Sequence, residues 1–192
     1  MRRLSLLEGA LLGRLHDERR SGYALRKLFA TTPLGNFSDS PGSIYPALAR
    51  LAAQGLIAGH VENARSLRPR QVYGLTTAGA EALDAWLREP LAAGGMREDF
   101  NGLLLRFVFM PQTIGRADTV RFLAALEVAL KREVVELRKF YRLAAKGMPV
   151  SGRLGLRAGI EICAAHARWA SLARRTMARR EKARHQPSRS AS

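Results

Sequence analysis

The 192-residue chain has a formal net charge of +16, and 47% of its residues are apolar. This composition is sufficient for a buried core, and the single cysteine, Cys163, excludes an internal disulfide. The charge predicts attraction to a polyanion, either nucleic acid or an anionic membrane surface. Residues 1–96 contain 12 basic and 8 acidic residues, whereas residues 97–192 contain 20 and 8, so most of the excess lies in the second half.

The start of the chain has a basic pair followed by an apolar stretch, as a signal peptide does. Glu8 and Arg14 interrupt that stretch, and no apolar run approaches the roughly 18 residues of a membrane span. We therefore expect a soluble, cytoplasmic protein without a membrane partner.

Three short helices are predicted before residue 56. Leucines spaced three and four apart indicate the first, and residues 17–21 then form a polar turn. Ser21 caps the second helix, and the third covers residues 40–55, with Pro46 in its first turn and Gly55 as a left-handed cap. The residues predicted to face inward are Leu4, Leu7, Leu11 and Leu15, then Ala24, Leu25, Leu28 and Phe29, then Ile44, Leu48 and Leu51.

Apolar and polar residues alternate in part over residues 56–62 and 71–75, and a basic segment lies between these two stretches. The pattern predicts two strands joined by a hairpin loop. Thr76 or Thr77 then caps a fourth helix. Three helices followed by a basic hairpin is the order of a winged helix.

Apolar helices also dominate the second half of the chain. A short one that begins near Phe100 ends near Pro111, and a long one runs from about Arg116 to Ala145. A final helix follows, and both long helices have apolar residues at near-heptad spacing. They either pack only on each other or also pair two copies, and the extra apolar surface favours a homodimer. The predicted interface residues are Leu123, Leu130, Val134, Leu137, Tyr141, Ile162, Trp169 and Leu172.

We therefore predict a mainly α protein with a small β-hairpin. A winged helix-turn-helix covers residues 1–90, a linker residues 91–96, a helical dimerisation domain residues 97–182 and a basic disordered tail residues 183–192.

The outer face of the third helix is small and basic, with Pro46, Ala49, Arg50 and Ala53 between the flanking Ser43 and Tyr45. A helix that enters a major groove about 12 Å wide needs small residues and a few polar tips, so this face predicts DNA reading. Arg50 either binds guanine or phosphate or is solvated, and Tyr45 either donates to a phosphate or packs. The hairpin arginines suit backbone or minor-groove contact, or are solvated; they are Arg65, Arg68 and Arg70.

Four ordered blocks resemble the PadR family of bacterial transcriptional regulators. They are Ser21-Gly-Tyr-Ala-Leu25, Ser40-Pro-Gly-Ser-Ile-Tyr-Pro-Ala-Leu-Ala-Arg-Leu51, Gly55-Leu56-Ile57 and Arg68-Pro-Arg-Gln-Val-Tyr-Gly-Leu-Thr76. Residues 97–109 are similar to the start of the helical C-terminal domain in the longer PadR-like proteins, the type related to virulence activator alpha.

The resemblance implies a homodimeric winged-helix regulator, usually a repressor, that binds double-stranded DNA at a near-palindromic operator. By position it puts Ser43, Tyr45 and Arg50 in the recognition helix, and Arg68 and Arg70 in the wing. Tyr23 lies in the second helix, either beside the DNA backbone or in packing.

A catalytic or metal site is not predicted. The four histidines, His16, His60, His166 and His185, lie far apart without cysteine or acidic partners at metal spacing, so we expect no enzymatic activity, no metal and no cofactor. The alternative function is a basic module that binds nucleic acid nonspecifically or lies on a membrane surface, since a basic amphipathic helix such as residues 153–182 fits anionic lipid.

A small aromatic effector is a further expectation, because aromatic side chains near a dimer interface suit a ligand pocket. The pocket candidates are Trp86, Phe107 and Trp169, and each of them is also typical of an ordinary core aromatic. The basic C-terminal tail either adds DNA contacts or is solvated.

Overall fold

The computed structural model describes residues 3–32, 42–62, 70–91 and 100–184. The described chain is mostly helical with one small antiparallel sheet, which confirms the predicted fold class. The elements are α1 (Leu6–Asp17), β1 (Arg20–Ser21), α2 (Gly22–Thr31), α3 (Ile44–Ala53), β2 (Ile57–Glu62), β3 (Arg70–Leu75), α4 (Thr77–Leu87), α5 (Phe100–Thr113), α6 (Arg116–Ala144) and α7 (Val150–Arg184).

The chain divides into two compact units. The first joins Met1–Pro90 to Phe100–Ile114, and the second joins Leu91–Asp99 to Gly115–Ser192. Helix α5 therefore belongs to the first unit, whereas the sequence places it in the C-terminal domain. Helix α5 lies in the first unit because its apolar side packs on α1.

Helix α1 lies at the centre of the first unit and is buried almost all round. Two glycines allow this close packing. A Cβ atom added at Gly9 would lie 2.6 Å from the indole of Trp86 in α4, and one added at Gly13 would lie 2.6 Å from the ring of Phe109 in α5. The leucine pattern of α1 predicted one buried face, but the helix has neighbours on several sides.

The sheet has the order β1-β3-β2, with both pairs antiparallel. Strands β2 and β3 confirm the predicted hairpin, with Ile57 opposite Leu75 and Glu62 opposite Arg70. The predicted polar turn over residues 17–21 instead contains β1, where Arg20 pairs with Tyr73. Two residues are too short to show the alternation by which a strand is recognised.

Local signals set the ends of α2 and α3. The Ser21 hydroxyl accepts a hydrogen bond from the Ala24 N–H at 3.1 Å, as expected of a cap. At the end of α3, Gly55 has φ +69°, the Gly55 N–H donates to Ala52 O and the Leu56 N–H donates to Leu51 O. This is a Schellman motif, and it confirms the predicted left-handed glycine cap.

Helix α5 continues through Pro111 to Thr113, two residues beyond the predicted end. The Ile114 N–H donates to Met110 O at 2.9 Å, so the turn that contains the proline still closes. On the same helix, the buried guanidinium of Arg106 donates to the carbonyls of Leu87 and Glu89. Arg106 thereby pairs with the last carbonyl of α4 and with one carbonyl just beyond its end.

The second unit is an antiparallel hairpin of α6 and α7. The predicted α6 seam is buried as far as Leu137, but the α7 residues buried with it are Ile160, Cys163, Ala167 and Ala170. The predicted α7 seam, which contains Ile162 and Leu172, lies on the outer side, where these two are 56% and 59% exposed. Helix α7 has apolar residues on two faces, so spacing alone did not decide which of them meets α6.

Candidate nucleic-acid interface

Helix α3 presents its outer face to solvent. Ile44, Leu48 and Leu51 are buried, as predicted, which anchors the helix by its inner side. Ser43 precedes the helix and makes no side-chain cap bond, and Pro46 occupies the third helical position. The exposed outer residues are Tyr45, Pro46, Ala49, Arg50 and Ala53, with Ser43 half-buried beside them.

The guanidinium of Arg50 pairs with the buried carboxylate of Glu8 on α1. Its Nε donates to Glu8 Oε1 at 3.1 Å, and Glu8 is 1% exposed while the Arg50 side chain is 48% exposed. The other Glu8 oxygen accepts from the Ser5 N–H at 3.0 Å, which closes the capping box of α1. The bond to Glu8 uses one of the five donors of the guanidinium, so Arg50 is a tethered side chain rather than a freely solvated one.

The two tyrosines lie beside the start of α2. A Cβ atom at Gly22 would lie 2.9 Å from the Tyr45 ring, so the ring packs against the backbone there while half of the side chain stays exposed. Tyr23 is 58% exposed, and the Arg26 guanidinium lies 5.6 Å from its ring centroid. Packing therefore holds Tyr45 in place, but both tyrosine side chains still reach solvent.

The wing is described only in its strands. Arg65 and Arg68 lie outside the described residues, and Arg70 is described as the first residue of β3 without its side chain.

One of the three effector-pocket candidates, Trp86, lines a cleft among the described residues of the first unit. Trp86 is buried and lines an open cleft of about 720 Å³ in the first unit, together with Leu4, Leu56 and Ala82. The Arg3–Glu89 ion pair, 2.9 Å long, lies at this cleft. Phe107 is half-buried on α5 and does not line the cleft, and Trp169 belongs to the second unit.

The predicted dimer residues fall into two groups. Leu123, Leu130, Val134 and Leu137 are at most 8% exposed within a single chain, so they do not form a free face. The heptad spacing of these residues predicts that they pack on another helix. It is the same whether that helix belongs to the same chain or to a second copy, so the sequence alone did not distinguish the two cases. The residues that remain at least partly exposed are Tyr141, Ile162, Trp169 and Leu172.

An ion cluster around the buried carboxylate of Glu127 joins the two helices of the second unit. Glu127 on α6 accepts from Lys131 Nζ at 2.6 Å and from Arg174 Nε at 2.7 Å, the latter on α7. Hydrogen bonds from Lys131 and Arg174 lower the pKa of Glu127 to about 2. The carboxylate is therefore charged at neutral pH and links α6 to α7.

No group of three metal-ligating side chains occurs within the described residues. His16, His60 and His166 lie on α1, β2 and α7, and His185 lies outside the described part of the chain. Burial lowers the pKa of His166. None of the described helices is long and apolar enough to cross a membrane.

Sequence reasoning missed Glu8. In the sequence Glu8 interrupts an apolar stretch, and Ser5-Leu-Leu-Glu8 has the spacing of a capping box. That signature locates the start of α1, and the bond to Arg50 depends on how α1 and α3 pack.

Comparison with known proteins supports the resemblance seen in the sequence blocks. Residues 11–85, from within α1 to within α4, match the model of the Transcriptional regulator PadR-like family. No curated protein matches the chain.

Several solved structures are similar to the chain at low identity. PadR of Bacillus subtilis in complex with operator DNA is 22% identical over 91% of this chain and 98% of that one, with a TM-score of 0.43. The same protein in complex with p-coumaric acid is 19% identical over 90% and 95%, with a TM-score of 0.41. The virulence activator AphA of Vibrio cholerae is 24% identical over 86% and 94%, with a TM-score of 0.40.

Similarities this low carry no information about what the present chain binds. The family match does not depend on them, and it covers the second part of α1, all of α2 and α3, and the β2–β3 hairpin. Residues 11–85 of this chain therefore match the PadR-like family of transcriptional regulators.

Proposed function

We propose that the protein is a sequence-specific, homodimeric DNA-binding regulator that acts in the cytoplasm on a near-palindromic operator. The observation that carries this proposal is the outer face of α3, which is small, exposed and provided with one tethered arginine. Small residues allow the backbone to approach base edges in the major groove, and Arg50 supplies donors that match guanine.

The anchoring of Arg50 supports base reading over simple solvation. A carboxylate that binds Nε limits the rotamers of the side chain, so less entropy is lost when the remaining guanidinium donors meet a base. Tyr23 and Tyr45 are proposed as phosphate donors beside α2, with Ser43 and Pro46 at the start of the recognition helix. The wing contacts are assigned to Arg65, Arg68 and Arg70 from their charge in the predicted hairpin, and the resemblance supports Arg68 and Arg70 by position.

Binding of the full-length protein to DNA from upstream of its own gene tests this function. Fluorescence anisotropy across a salt series compares that DNA with a shuffled duplex of the same length. Specific binding predicts a preference of at least about 10³-fold near physiological salt. Equal affinity for the two duplexes would contradict the proposal and favour a nonspecific basic module.

Arg50→Ala tests the role of the arginine. We expect it to relax the preference at one base pair by about 1–3 kcal/mol, with Arg88→Ala as a control because Arg88 is an exposed arginine paired with Asp84 on α4. A uniform loss across all base substitutions would reassign Arg50 to phosphate.

The homodimer is proposed to form through the outer face of α7. Leu154, Ile162 and Leu172 are each more than half exposed. Such a row of large apolar side chains on one helix is typical of a surface that meets a partner.

A small aromatic effector is proposed to bind in the cleft beside Trp86. Its walls are mainly apolar, and Arg3 at its rim would pair with a ligand carboxylate. Trp169→Phe leaves Trp86 as the single tryptophan, so its fluorescence can be followed during titration with phenolic acids and cationic dyes. The effector proposal is abandoned if no compound changes either the fluorescence or the affinity for the operator.

Repression rather than activation is proposed from the family resemblance. A reporter behind the upstream region tests it: deletion of the gene raises expression for a repressor and lowers it for an activator.

A further inference from the structure

The α6–α7 hairpin carries far more positive charge than its own packing uses. Residues 115–184 include 17 basic and 6 acidic residues, a net charge of +11. Arg174 and Lys131 bind Glu127, Arg121 binds Asp118, and Arg116 donates to Met177 O. Exposed cations without an ion pair among the described residues are Arg132, Arg138, Lys139 and Arg142 on α6, and Arg157, Arg168, Arg175 and Arg179 on α7.

The four α6 cations share one side of their helix. Projected at about 100° per residue, they fall within a sector about 120° wide and extend over about 15 Å of helix. The acidic residues Asp118, Glu133 and Glu136 lie outside that sector. The α7 cations lie within a narrower sector of about 40°, and the acidic residue Glu161 lies at the edge of that same sector.

A cleft of about 320 Å³ is lined by residues of both α6 and α7, so it shows which face of α6 lies on the same side of the hairpin as which face of α7. Glu133 of α6 and His166 of α7 line this cleft together, so both side chains lie on the same side of the hairpin. On each helix the cations are centred roughly 160° away from the residue that lines the cleft. The cations of both helices therefore project from the opposite side of the hairpin, and together they form one surface, which we call the cationic side.

We propose that the cationic side of the α6–α7 hairpin is a second, sequence-independent binding surface for duplex DNA, which contacts phosphates. Four charges over about 15 Å on one helix suit a polyanion whose charges are as dense as those of DNA. On α6 the large apolar residues exposed within this sector are Val128 and Val135. The exposed Leu143, Leu154 and Leu172 lie beside the cations and would also suit anionic lipid, so the choice of DNA rests on charge spacing, and the vesicle experiment below distinguishes the two ligands.

A four-site variant of the full-length protein tests the proposal: Arg132→Gln, Arg138→Gln, Lys139→Gln and Arg142→Gln. The probe is a labelled duplex of shuffled sequence, and the measurement is the slope of log affinity against log salt concentration. Each lost phosphate contact reduces the magnitude of this slope by about 0.9. We therefore expect the slope of the variant to be smaller in magnitude than that of the wild type by between about 2 and 4. Circular dichroism checks that the variant keeps its helices.

A charge-preserving variant is the matched control: Arg132→Lys, Arg138→Lys, Lys139→Arg and Arg142→Lys. Because phosphate contact depends on charge, this variant should keep the wild-type slope. Loss of slope in both variants would show that altered helix packing, and not lost charge, is responsible, and an unchanged slope in the glutamine variant would show that the surface does not bind DNA. Either result overturns the proposal.

The proposal is independent of base reading by α3. The glutamine variant should weaken the operator and the shuffled duplex equally, whereas failure of the proposed function would appear as no preference in the wild type. Co-sedimentation with phosphatidylglycerol–phosphatidylcholine vesicles distinguishes duplex DNA from an anionic lipid surface as the ligand of the cationic side. If the variant loses vesicle binding and keeps its DNA slope, the ligand is the lipid headgroup and the proposal is wrong.

Discussion

The two units of the chain use their residues differently. In the first unit α1 is enclosed by its neighbours, and even polar groups such as Glu8 and Arg106 are buried in bonds between elements. In the second unit α6 and α7 share one seam, while an apolar face and a cationic side remain exposed. Residues 1–114 carry 14 basic and 10 acidic residues, and residues 115–192 carry 18 and 6. The side chains of the first unit are therefore used mainly in packing, whereas many of those in the second unit face solvent.

The largest expected effect separates the inner seam of the hairpin from its outer face. Val134→Glu places a charge at a site 8% exposed, so we expect it to destabilise the hairpin by about 3 kcal/mol or more. Leu172→Glu alters a side chain that is 59% exposed, so it should leave the helix content intact and dissociate the proposed dimer. Circular dichroism melts and light scattering measure the two effects. A wild-type monomer, or a dimeric Leu172→Glu variant, would contradict the interface.

Alanine substitutions at one glycine in each unit test how tightly the first and the second unit are packed around these positions. Gly9→Ala forces a methyl group to within 2.6 Å of the Trp86 ring, so it should cost about 1–3 kcal/mol. Gly155→Ala on α7 meets nothing within 4 Å and should stabilise the helix by roughly 0.5–1 kcal/mol. Urea unfolding gives both values. A destabilising Gly155→Ala would mean that a partner copy packs on this glycine.

The link between stability and DNA reading in the first unit is tested at Glu8. Glu8→Gln removes the charge that pairs with Arg50, so we expect a loss of about 1–2 kcal/mol in unfolding free energy. It should also weaken the preference for the base that Arg50 reads. Ser5→Ala is the matched control, because it removes a capping-box hydroxyl without touching the Arg50 bond. If both variants lose stability alike and both keep the preference, Glu8 acts only as a cap.

The smallest effect concerns pH and the second unit. The folded pKa of Glu127 is about 2 against an ordinary 4.5, so its stabilising contribution is present above about pH 4.5 and is lost as the pH falls toward 2. The partner side chains Lys131 and Arg174 are 62% and 36% exposed, so Glu127→Gln should cost only on the order of 1 kcal/mol at neutral pH. Melting temperatures of wild type and variant should converge in acid.

A control variant makes the acid experiment specific. Protonation of His166, whose pKa is lowered by burial, also destabilises the fold in acid, but it affects wild type and variant equally. Glu136→Gln, an exposed acid on the same helix, should melt like the wild type at every pH. A gap between wild type and Glu127→Gln that persists in acid would show that the cost comes from packing and not from charge.

The sequence by itself determined the local features of the first unit. The Ser21 cap, the inner residues of α3, the Gly55 turn and the β2–β3 hairpin each depend on residues close in the chain, and each was predicted. The family resemblance also rests on such blocks, and the family match confirms it over residues 11–85.

The tertiary structure alone decided which surfaces meet. Pairing of β1 with β3, the place of α5 in the first unit and the bond from Arg50 to Glu8 join residues distant in sequence. The clearest case is α7, whose two apolar faces have similar spacing, so periodicity cannot say which is buried. The structure buries the face with Cys163 and Ala170 because these small side chains allow close approach to α6, and it leaves Ile162 and Leu172 outside.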